Sequence, residues 1–350
     1  MKLAQKPESL LNSFSKYVDI VSGSLNFDGK ASLHSSGIDF SSGSSFRISL
    51  EQLEVLGELG RGNYGTVSKV LHRPTKVIMA MKEIRLELDE AKFRQIIMEL
   101  DVLHKTNTPY IVDFYGAFFV EGAVYICMEY MDGGSVDKLY AGGVSEPLLA
   151  YITRGAVEGL RVLKDEHNII HRDVKPTNIL ASTAGTVKLC DFGVSGNLVA
   201  SIARTNIGCQ SYMAPERIKL ANPSDAITYT VQSDIWSLGL TILEIASGQF
   251  PYPPETYGNV FSQLEAIVDG EPPVLPAARF SPTAVDFVAQ CLNKVPKLRP
   301  TYADLLAHPW LNQNLGTAED CAAFVKTALA NRRPQSGPRP ALHDGGAPRV

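Results

Sequence analysis

The pattern of apolar and polar residues divides the 350-residue chain into four segments. Residues 1–50 are rich in Ser and Gly and show no sustained period of 2 or 3.6, which is typical of a tail. From residue 53, short apolar runs at 55–59, 66–71 and 77–84 alternate with Gly and Pro, as in an antiparallel sheet. Residues 51–132 are therefore predicted to form a small β-rich lobe.

Helical periodicity dominates the chain after residue 132. Apolar positions recur at spacings of three and four in residues 146–168, 233–247 and 281–293, so residues 133–311 are predicted to form a larger helical lobe. Residues 312–350 contain one amphipathic stretch and then a Pro- and Gly-rich sequence that is too poor in apolar residues to stay ordered. The predicted fold class is α+β, with two lobes of different composition.

Composition excludes several classes of function. The formal net charge of -4 gives no global basic field for nucleic acid. The longest apolar runs are too short to span a membrane. The five cysteines are an odd number without a CxxC pair, which argues against a disulfide framework and a zinc cage. We expect a cytoplasmic protein without nucleic-acid binding or membrane insertion, and the sequence leaves nuclear entry open.

A glycine-rich segment is the first candidate for chemistry. It follows the pattern GxGxxGxV and consists of Gly60, Arg61, Gly62, Asn63, Tyr64, Gly65, Thr66 and Val67. Glycines allow backbone N–H groups to approach phosphate oxygens, although the motif alone fits a tight turn or a dinucleotide fold as well. A dinucleotide fold requires a helix next and an acidic residue about 20 positions on, whereas here a strand follows that ends in Lys82. The segment is predicted to connect two strands and bind phosphate.

Lys82 and Glu99 form the second candidate group. Strand alternation places Lys82 on the inward face together with Ala80. In a helix over residues 88–105, Glu99 shares an apolar face with Ile96 and Leu103, and a carboxylate there requires a cationic partner. The sequence therefore predicts an ion pair that depends on the position of the helix, with ATP phosphates as the other anion available to Lys82. A lysine at a solvated strand edge is the alternative.

A loop at residues 171–178 places a carboxylate, two cations and a carboxamide close together, in the sequence HRDVKPTN. Asp173 can accept the proton of an attacking hydroxyl, and Lys175 can neutralise a transferring phosphoryl group. Asn178 can offer an oxygen to a metal ion. Asp191 follows the next short strand and supplies a second hard oxygen ligand, so the sequence predicts Mg²⁺ at these two residues.

In order and spacing, these motifs resemble the protein kinases from about residue 53 to residue 310. The resemblance implies that Glu216 pairs with Arg299, and that Asp234 braces the loop at His171. It also implies that ATP lies under the glycine-rich segment, with its adenine against the hinge between the lobes, residues 129–131. The residues expected to line the nucleotide site are Leu59, Gly60, Arg61, Gly62, Asn63, Tyr64, Gly65, Thr66, Val67, Ala80, Lys82, Glu99, Met128, Glu129, Met131 and Ser135.

Within the kinases, three further segments resemble the MAP kinase kinases: residues 128–135 (MEYMDGGS), 191–196 (DFGVSG) and 208–213 (GCQSYM). This resemblance implies phosphorylation of both Thr and Tyr on the substrate. It also implies activation at two hydroxyl residues four positions apart, which predicts Ser201 and Thr205 as phosphorylation sites. Two ordinary loop hydroxyls are the alternative.

The sequences of residues 17–25 and 205–210 resemble fungal members that serve the osmotic-stress pathway. They imply a downstream stress-activated MAP kinase, phosphorylated on a Thr-Gly-Tyr lip, and an upstream MAP kinase kinase kinase. The amphipathic stretch 317–330 lies where family members bind the upstream kinase, and a helix that caps the large lobe is the alternative. The basic motif with which family members dock their MAP kinase is poorly matched here, because only two lysines, Lys2 and Lys6, precede the apolar residue Leu10. A broad serine/threonine kinase and a kinase-fold scaffold are the rival hypotheses.

Overall fold

The computed structural model describes residues 18–19, 24–27, 31–62, 65–86, 90–191, 211–219, 230–252, 260–313 and 315–332. Within these ranges the chain forms three antiparallel sheets. Among the described residues, one α-helix lies between the strands of the second sheet in the sequence, and the other α-helices come after that sheet. The predicted α+β architecture, with a β-rich small lobe and a helical large lobe, is confirmed.

The first sheet lies in the segment expected to be a tail. It has five strands in sequence order: β1 (Val18–Asp19), β2 (Ser24–Phe27), β3 (Ala31–His34), β4 (Gly37–Phe40) and β5 (Ser45–Arg47). The described part of residues 1–50 thus forms a sheet where the periodicity predicts a tail. Each strand is only two to four residues long, so its alternation of apolar and polar residues is too brief to register as a sustained period. The Ser-Gly clusters between the strands are hairpin turns rather than a linker.

The second sheet forms the small lobe. Its strands are β6 (Leu53–Gly62), β7 (Gly65–His72), β8 (Val77–Arg85), β9 (Phe114–Val120) and β10 (Ala123–Glu129), in the order β6-β7-β8-β10-β9. Strand β8 is covered on both faces: Met79 and Met81 enter one apolar cluster, while Ala80 and Ile84 enter a second. Burial on both faces explains why this strand reads as a nearly continuous apolar run.

Helix α1 (Glu90–Lys105) packs on the second of these clusters, which also receives Ile96, Leu100 and Leu103. The cluster continues to Met128 at the end of β10 and to Cys190 in the large lobe. One connected apolar core therefore reaches from the first sheet, through α1, to the junction of the two lobes.

Seven further helices lie within the described part of the large lobe and the C-terminal segment. Their bounds are α2 (Glu146–His167), α3 (Pro215–Lys219), α4 (Val231–Ser247), α5 (Val260–Val268), α6 (Pro282–Cys291), α7 (Tyr302–Ala307) and α8 (Ala318–Asn331). Short 3-10 turns occur at Leu50–Gln52, Val136–Lys138, Pro176–Asn178, Pro296–Leu298 and Pro309–Leu311. A third, small sheet is formed by β11 (Gly134–Ser135), β12 (Ile179–Ala181) and β13 (Val187–Leu189). None of the helices described here is long and apolar enough to cross a membrane.

Helix α8 coincides with the amphipathic stretch expected at 317–330 and packs on the large lobe. Its start is fixed by a capping box, in which Thr317 Oγ1 accepts from Asp320 N–H and the Asp320 carboxylate accepts from Thr317 N–H. Cys321 and Val325 on its inner face are fully buried in the large-lobe core. The apolar face of the helix is thus occupied within the chain, which is the geometry of the capping alternative.

A buried ion pair joins α3 to the lower part of the large lobe. Arg299 donates from Nη1 and Nη2 to the two carboxylate oxygens of Glu216, each at 2.8 Å. It also donates to the carbonyls of Asn293 and Gln232, both at 2.7 Å, and its side chain has no exposed surface. The pair expected from the kinase resemblance is therefore present, and four of the five guanidinium N–H groups donate hydrogen bonds.

The Arg299→Ala variant is expected to lose about 3–5 kcal/mol of unfolding free energy, because the largely buried Glu216 carboxylate then loses its cationic partner. The control is Lys105→Ala, which removes an exposed pair with Asp101 at 2.7 Å and is expected to cost at most about 1 kcal/mol. Urea unfolding of both variants measures the difference. Equal losses of unfolding free energy in the two variants would show that burial does not increase the contribution of the Arg299 pair to stability.

Candidate active site

Lys82 lies at the centre of a buried charge cluster between the lobes. Its Nζ donates to Glu99 Oε1 at 2.9 Å and to Asp191 Oδ1 at 2.7 Å. Glu99 comes from α1, and Asp191 follows β13 in the large lobe. The expected pair of Lys82 and Glu99 is therefore formed, and Asp191 joins it. The alternative of a solvated edge lysine is excluded, because the Lys82 side chain is only 6% exposed.

The ionisation of this cluster follows from its burial and its charges. Burial alone would lower the pKa of Lys82, but the charges of Asp191 and Glu99 outweigh it and raise the pKa, so the ammonium stays protonated. Desolvation in the cleft opposes ionisation of Asp191, but the Lys82 charge lowers its pKa below the ordinary value. Burial raises the pKa of Glu99, and Lys82 opposes that effect. With all three groups ionised, two carboxylates share one ammonium and the cluster carries a charge of -1.

The catalytic-loop residues expected from the sequence meet on one side of this cluster. Asn178 Nδ2 donates to the Asp173 carbonyl at 2.7 Å and to Asp173 Oδ2 at 2.9 Å. Lys175 Nζ lies 2.8 Å from the same Oδ2. These contacts fix the orientation of the carboxylate, and among the described residues Oδ1 has no hydrogen-bond partner. That oxygen can accept a proton from an incoming hydroxyl group.

Asp234 stabilises the loop at residues 171–178 through hydrogen bonds with its backbone. Its carboxylate accepts from His171 N–H at 2.8 Å and from Arg172 N–H at 2.9 Å, and Asp234 itself is fully buried in α4. Arg172 has φ +69°, a conformation that is costly for a non-glycine residue, and the two bonds stabilise it. Burial lowers the pKa of His171, so the neutral ring can accept from Asp173 N–H at Nδ1. The brace expected from the resemblance is present.

The oxygen atoms near Asp191 fit a divalent cation of the magnesium type. The Asn178 amide nitrogen donates to Asp173, and its oxygen Oδ1, which accepts from Thr177 Oγ1 at 3.4 Å, has a second lone pair with which it can bind a metal ion. Asp191 is bound to Lys82 through Oδ1 only, and its side chain is 41% exposed. Among the described residues no three His, Cys, Asp or Glu side chains form a metal cage. A set of only two protein oxygens suits Mg²⁺, which usually keeps waters and binds substrate phosphates.

The strand register aligns the residues expected around the nucleotide. In the sheet, Ala80 pairs with Met128, and Lys82 pairs with Val67 on one side and Ile126 on the other. Met128 and Met131 are both buried at the start of the hinge. The small-lobe strands therefore present Val67, Ala80 and Met128 toward the same cluster that lies behind Lys82.

The hinge itself is fixed by contacts that the sequence analysis did not anticipate. Lys188 Nζ in β13 donates to Glu129 Oε2 at 2.6 Å, and the same oxygen accepts from Asp113 N–H at 3.2 Å. Glu129, expected at the adenine, therefore uses its side chain to tie the hinge to the large lobe. The sequence signal was a lysine between two apolar residues of a short strand, which in a buried strand requires an anion.

Lys138 makes a contact across the mouth of the cleft. Its Nζ donates to the carbonyl of Leu59, the expected nucleotide residue that precedes the glycine-rich segment, at 3.4 Å. Ser135, also expected near the nucleotide, lies in β11 and pairs with Leu180 in β12.

Several expected residues lie outside the described part of the chain. Asn63 and Tyr64 at the tip of the glycine-rich segment are among them, as are Ser201 and Thr205. Lys2, Lys6 and Leu10, which bear on docking, also lie outside it. Their roles stay predictions.

Comparison with known proteins agrees with this geometry. Residues 53–311 match the protein kinase domain family. The chain is 66% identical to MAP kinase kinase PBS2 of Saccharomyces cerevisiae over 96% of its length, and 62% identical to protein kinase wis1 of Schizosaccharomyces pombe over 93%. It covers 52% and 54% of these two proteins.

A more distant relative has a length closer to that of this chain. The Drosophila melanogaster dual specificity mitogen-activated protein kinase kinase dSOR1 is 46% identical over 76% of this chain, which covers 72% of the fly protein. The chain belongs to the MAP kinase kinase family of protein kinases.

A second set of contacts in this MAP kinase kinase was not anticipated from its sequence. The hydroxyl groups of Tyr140 and Tyr212 both donate to the carboxylate of Glu244 in α4, the first at 2.5 Å. Tyr212 lies just before α3, and its carbonyl accepts from Ser237 Oγ at 2.8 Å. The segment that enters α3 is thereby fixed to the centre of the large lobe. No periodicity could have shown this, because the three residues are 32 to 104 positions apart.

Gly65 of this MAP kinase kinase is required for strand packing. It has φ +138°, and a Cβ there would lie 1.7 Å from the carbonyl oxygen of Glu83 in β8. At Gly60 a Cβ would have no neighbour within 4 Å. The third glycine of the motif therefore allows β7 to approach β8, whereas the first leaves space above the strand.

Backbone strain alone costs about 1–3 kcal/mol at a non-glycine residue with positive φ. Gly65→Ala is expected to destabilise the small lobe by more than this, because the new methyl group also overlaps backbone atoms of β8. Gly60→Ala is the matched control and is expected to leave the melting temperature almost unchanged. Thermal unfolding followed by circular dichroism measures both. Similar melting temperatures for the two variants would contradict the close approach at Gly65.

Proposed function

We propose that this protein is an ATP- and Mg²⁺-dependent dual-specificity MAP kinase kinase. It transfers the γ-phosphate of ATP to Thr and Tyr in the activation lip of a stress-activated MAP kinase. The observation that carries the proposal is the joint geometry of two sites: Lys82 bound to Glu99 and Asp191, and Asp173 oriented by Asn178 and Lys175. A scaffold that only uses the kinase fold has no need of both.

In this mechanism the protein mainly aligns the reactants and neutralises charge. Lys82 holds the phosphates of ATP under the glycine-rich segment. Asp173 Oδ1 accepts the proton of the attacking hydroxyl, while Lys175, 2.8 Å from Oδ2, is placed to neutralise charge on the transferring phosphoryl group. When bound, Mg²⁺ would be held by Asn178 and Asp191 and would neutralise phosphate charge. The fixed Asp234 contacts keep the loop in this arrangement.

Asp173 and Asp191 are expected to give different kinetic defects. Asp173→Asn should lower kcat by about 10²–10⁴-fold, because it removes the proton acceptor, and leave ATP affinity near normal. Asp191→Asn should lower both kcat and ATP affinity, because it removes a charged metal ligand and one of the two anions that bind Lys82. Asp165→Asn on the exposed side of α2 is the control. Nucleotide affinity by calorimetry and steady-state rates test the difference, and near-normal turnover of Asp173→Asn would refute its role.

The substrate class is the second part of the proposal. The relatives at 66% and 62% identity are fungal proteins, as the resemblance implies, and the fly relative is named as a dual specificity kinase. We infer that the upstream activator is a MAP kinase kinase kinase that phosphorylates Ser201 and Thr205, and that the protein acts in the cytoplasm.

Phosphosite mass spectrometry tests the substrate class. Intact, kinase-dead MAP kinases of several classes are incubated with Mg-ATP and the Ser201→Asp/Thr205→Asp protein, and Asp173→Asn is added to the same background as control. The expected result is phosphate on both Thr and Tyr of a stress-type lip. Labelling of Ser or Thr alone would support a broad serine/threonine kinase, and no labelling of any class would support the scaffold.

A further inference from the structure

The sheet β1–β5 touches the small lobe at the C-terminal end of α1, the helix that carries Glu99. The ring of Phe40 stacks on the imidazole of His104, with centroids 3.7 Å apart and planes 14° from parallel. His104 is the last residue but one of α1, and its side chain is 5% exposed. The end of the helix is therefore covered by a side chain from outside the matched kinase domain.

Phe40 is itself held in place by other aromatic rings. It meets Phe46 of β5 and Phe114 of β9 edge to face, at 6.1 Å and 6.3 Å, and these two rings meet each other at 5.1 Å. Leu33 and Ile38 in the same sheet have no exposed surface. The contact with α1 is thus part of a packed cluster and not a lone surface contact.

A second contact seats the end of this segment on the small lobe. A Cβ at Gly116 in β9, which has φ +150°, would lie only 2.8 Å from Ile48 Cγ2. Ile48 is buried, and its N–H donates to the Ser36 carbonyl at 3.2 Å. The glycine allows residues 45–48 to lie directly on β9, so the sheet has a fixed position relative to the lobe.

Glu99 lies five residues before His104 in the same helix, a distance of about 7.5 Å along the axis at 1.5 Å per residue. Between them, Leu100 and Leu103 belong to the buried cluster that also contains Leu33 and Ile38. A helix of this length moves as a unit, so a shift at His104 is transmitted to Glu99. The bond from Lys82 to Glu99 is 2.9 Å, and a shift of about 1 Å would break it.

We propose that Phe40 and His104 are positioning residues, and that sheet β1–β5 is a brace that holds α1 where Glu99 pairs with Lys82. The ring contacts of Phe40 are to His104, Phe46 and Phe114, and these three residues are not among those expected at the nucleotide, so Phe40 and His104 act through the helix. The inference rests on the proposed kinase function, because phosphoryl transfer is the activity that the pair supports. A sheet that only added buried area would raise stability without changing turnover.

The first experiment uses the full chain with Ser201→Asp/Thr205→Asp and compares Phe40→Ala, His104→Ala and their double variant. Each single change is expected to lower kcat by about 3- to 10-fold, in the range of substitutions that act through coupled residues. The double variant should be no worse than the poorer single variant, because both remove the same contact. His104→Phe keeps a stacked ring and should retain at least about half of the turnover. Independent, multiplied losses, or a defect in His104→Phe equal to that of His104→Ala, would overturn the proposal.

Leu25→Ala is the matched control, since it removes a fully buried apolar side chain from the same sheet but leaves the ring cluster at His104 intact. It is expected to lower the melting temperature about as much as Phe40→Ala and to change kcat by less than about 2-fold. Equal losses of kcat in the two variants would show a general loosening of the sheet instead of a brace on α1.

A second experiment tests the route through Glu99. In a Glu99→Gln background the ion pair is already lost, so adding Phe40→Ala is expected to lower kcat by less than about 2-fold further. A further loss as large as in the unchanged background would show that Phe40 acts by another path.

A measurement without catalysis separates this inference from the proposed function. Amide hydrogen exchange in residues 96–105 is expected to be faster in Phe40→Ala than in Leu25→Ala, since only the first removes the ring stacked on the end of α1. If the unchanged protein transfers no phosphate to any MAP kinase, the proposed function fails and this exchange still decides the brace. Equal exchange in the two variants would overturn it.

Discussion

The ammonium of Lys82 is the group on which the arrangement of the two lobes depends. It is nearly fully buried and holds one carboxylate from α1 and one from the large lobe, both within hydrogen-bond distance. An unpaired charge at this depth would cost several kcal/mol, roughly, so the strand, the helix and the segment after β13 have to converge on it. The same convergence brings Asp191 beside Asn178 and Asp173. Catalytic geometry and lobe closure are therefore one constraint in this chain.

Other buried charges lie at junctions in the same way. Asp234 joins α4 to the catalytic loop through two backbone N–H groups, and Arg299 joins the lower helices to α3 through Glu216. Replacing such groups by apolar residues is often neutral for stability in other proteins, so their main effect is to select one arrangement of the elements. Here the selected arrangement includes Arg172 at φ +69° and Asp191 at φ +54°, both of which a relaxed chain would avoid. Two of the five non-glycine residues with positive φ in the described part of the chain therefore lie in these segments, and the buried charges around them maintain that conformation.

Sequence reasoning succeeded where one short motif carries both its residue types and its spacing. Strand alternation gave the inward direction of Lys82, and helical spacing gave the face of Glu99, because each depends only on neighbours within four positions. It failed for contacts between distant segments, such as Tyr140 with Glu244, since nothing local records the partner. The first sheet was missed for a different reason. Its strands have at most four residues. The buried residues Leu25, Leu33 and Ile38 lie in three different strands, and each strand ends before a period of 2 can be recognised.

The segments that flank residues 53–311 belong to the folded unit. Before residue 53, Leu25, Leu33 and Ile38 are fully buried, and each contributes about 1.5–3 kcal/mol when removed from water. After residue 311, Val325 of α8 packs so close to Gly133 that a Cβ on that glycine would lie 2.7 Å from Val325 Cγ1. One segment therefore rests on the helix that carries Glu99, and the other lies behind the hinge. Cutting the chain at the limits of the matched domain would expose both apolar faces and would remove support from two parts of the molecule that position ATP. Buried residues of the folded unit accordingly lie on both sides of the lobes 51–132 and 133–311 that the periodicity indicates, from Leu25 to Val325.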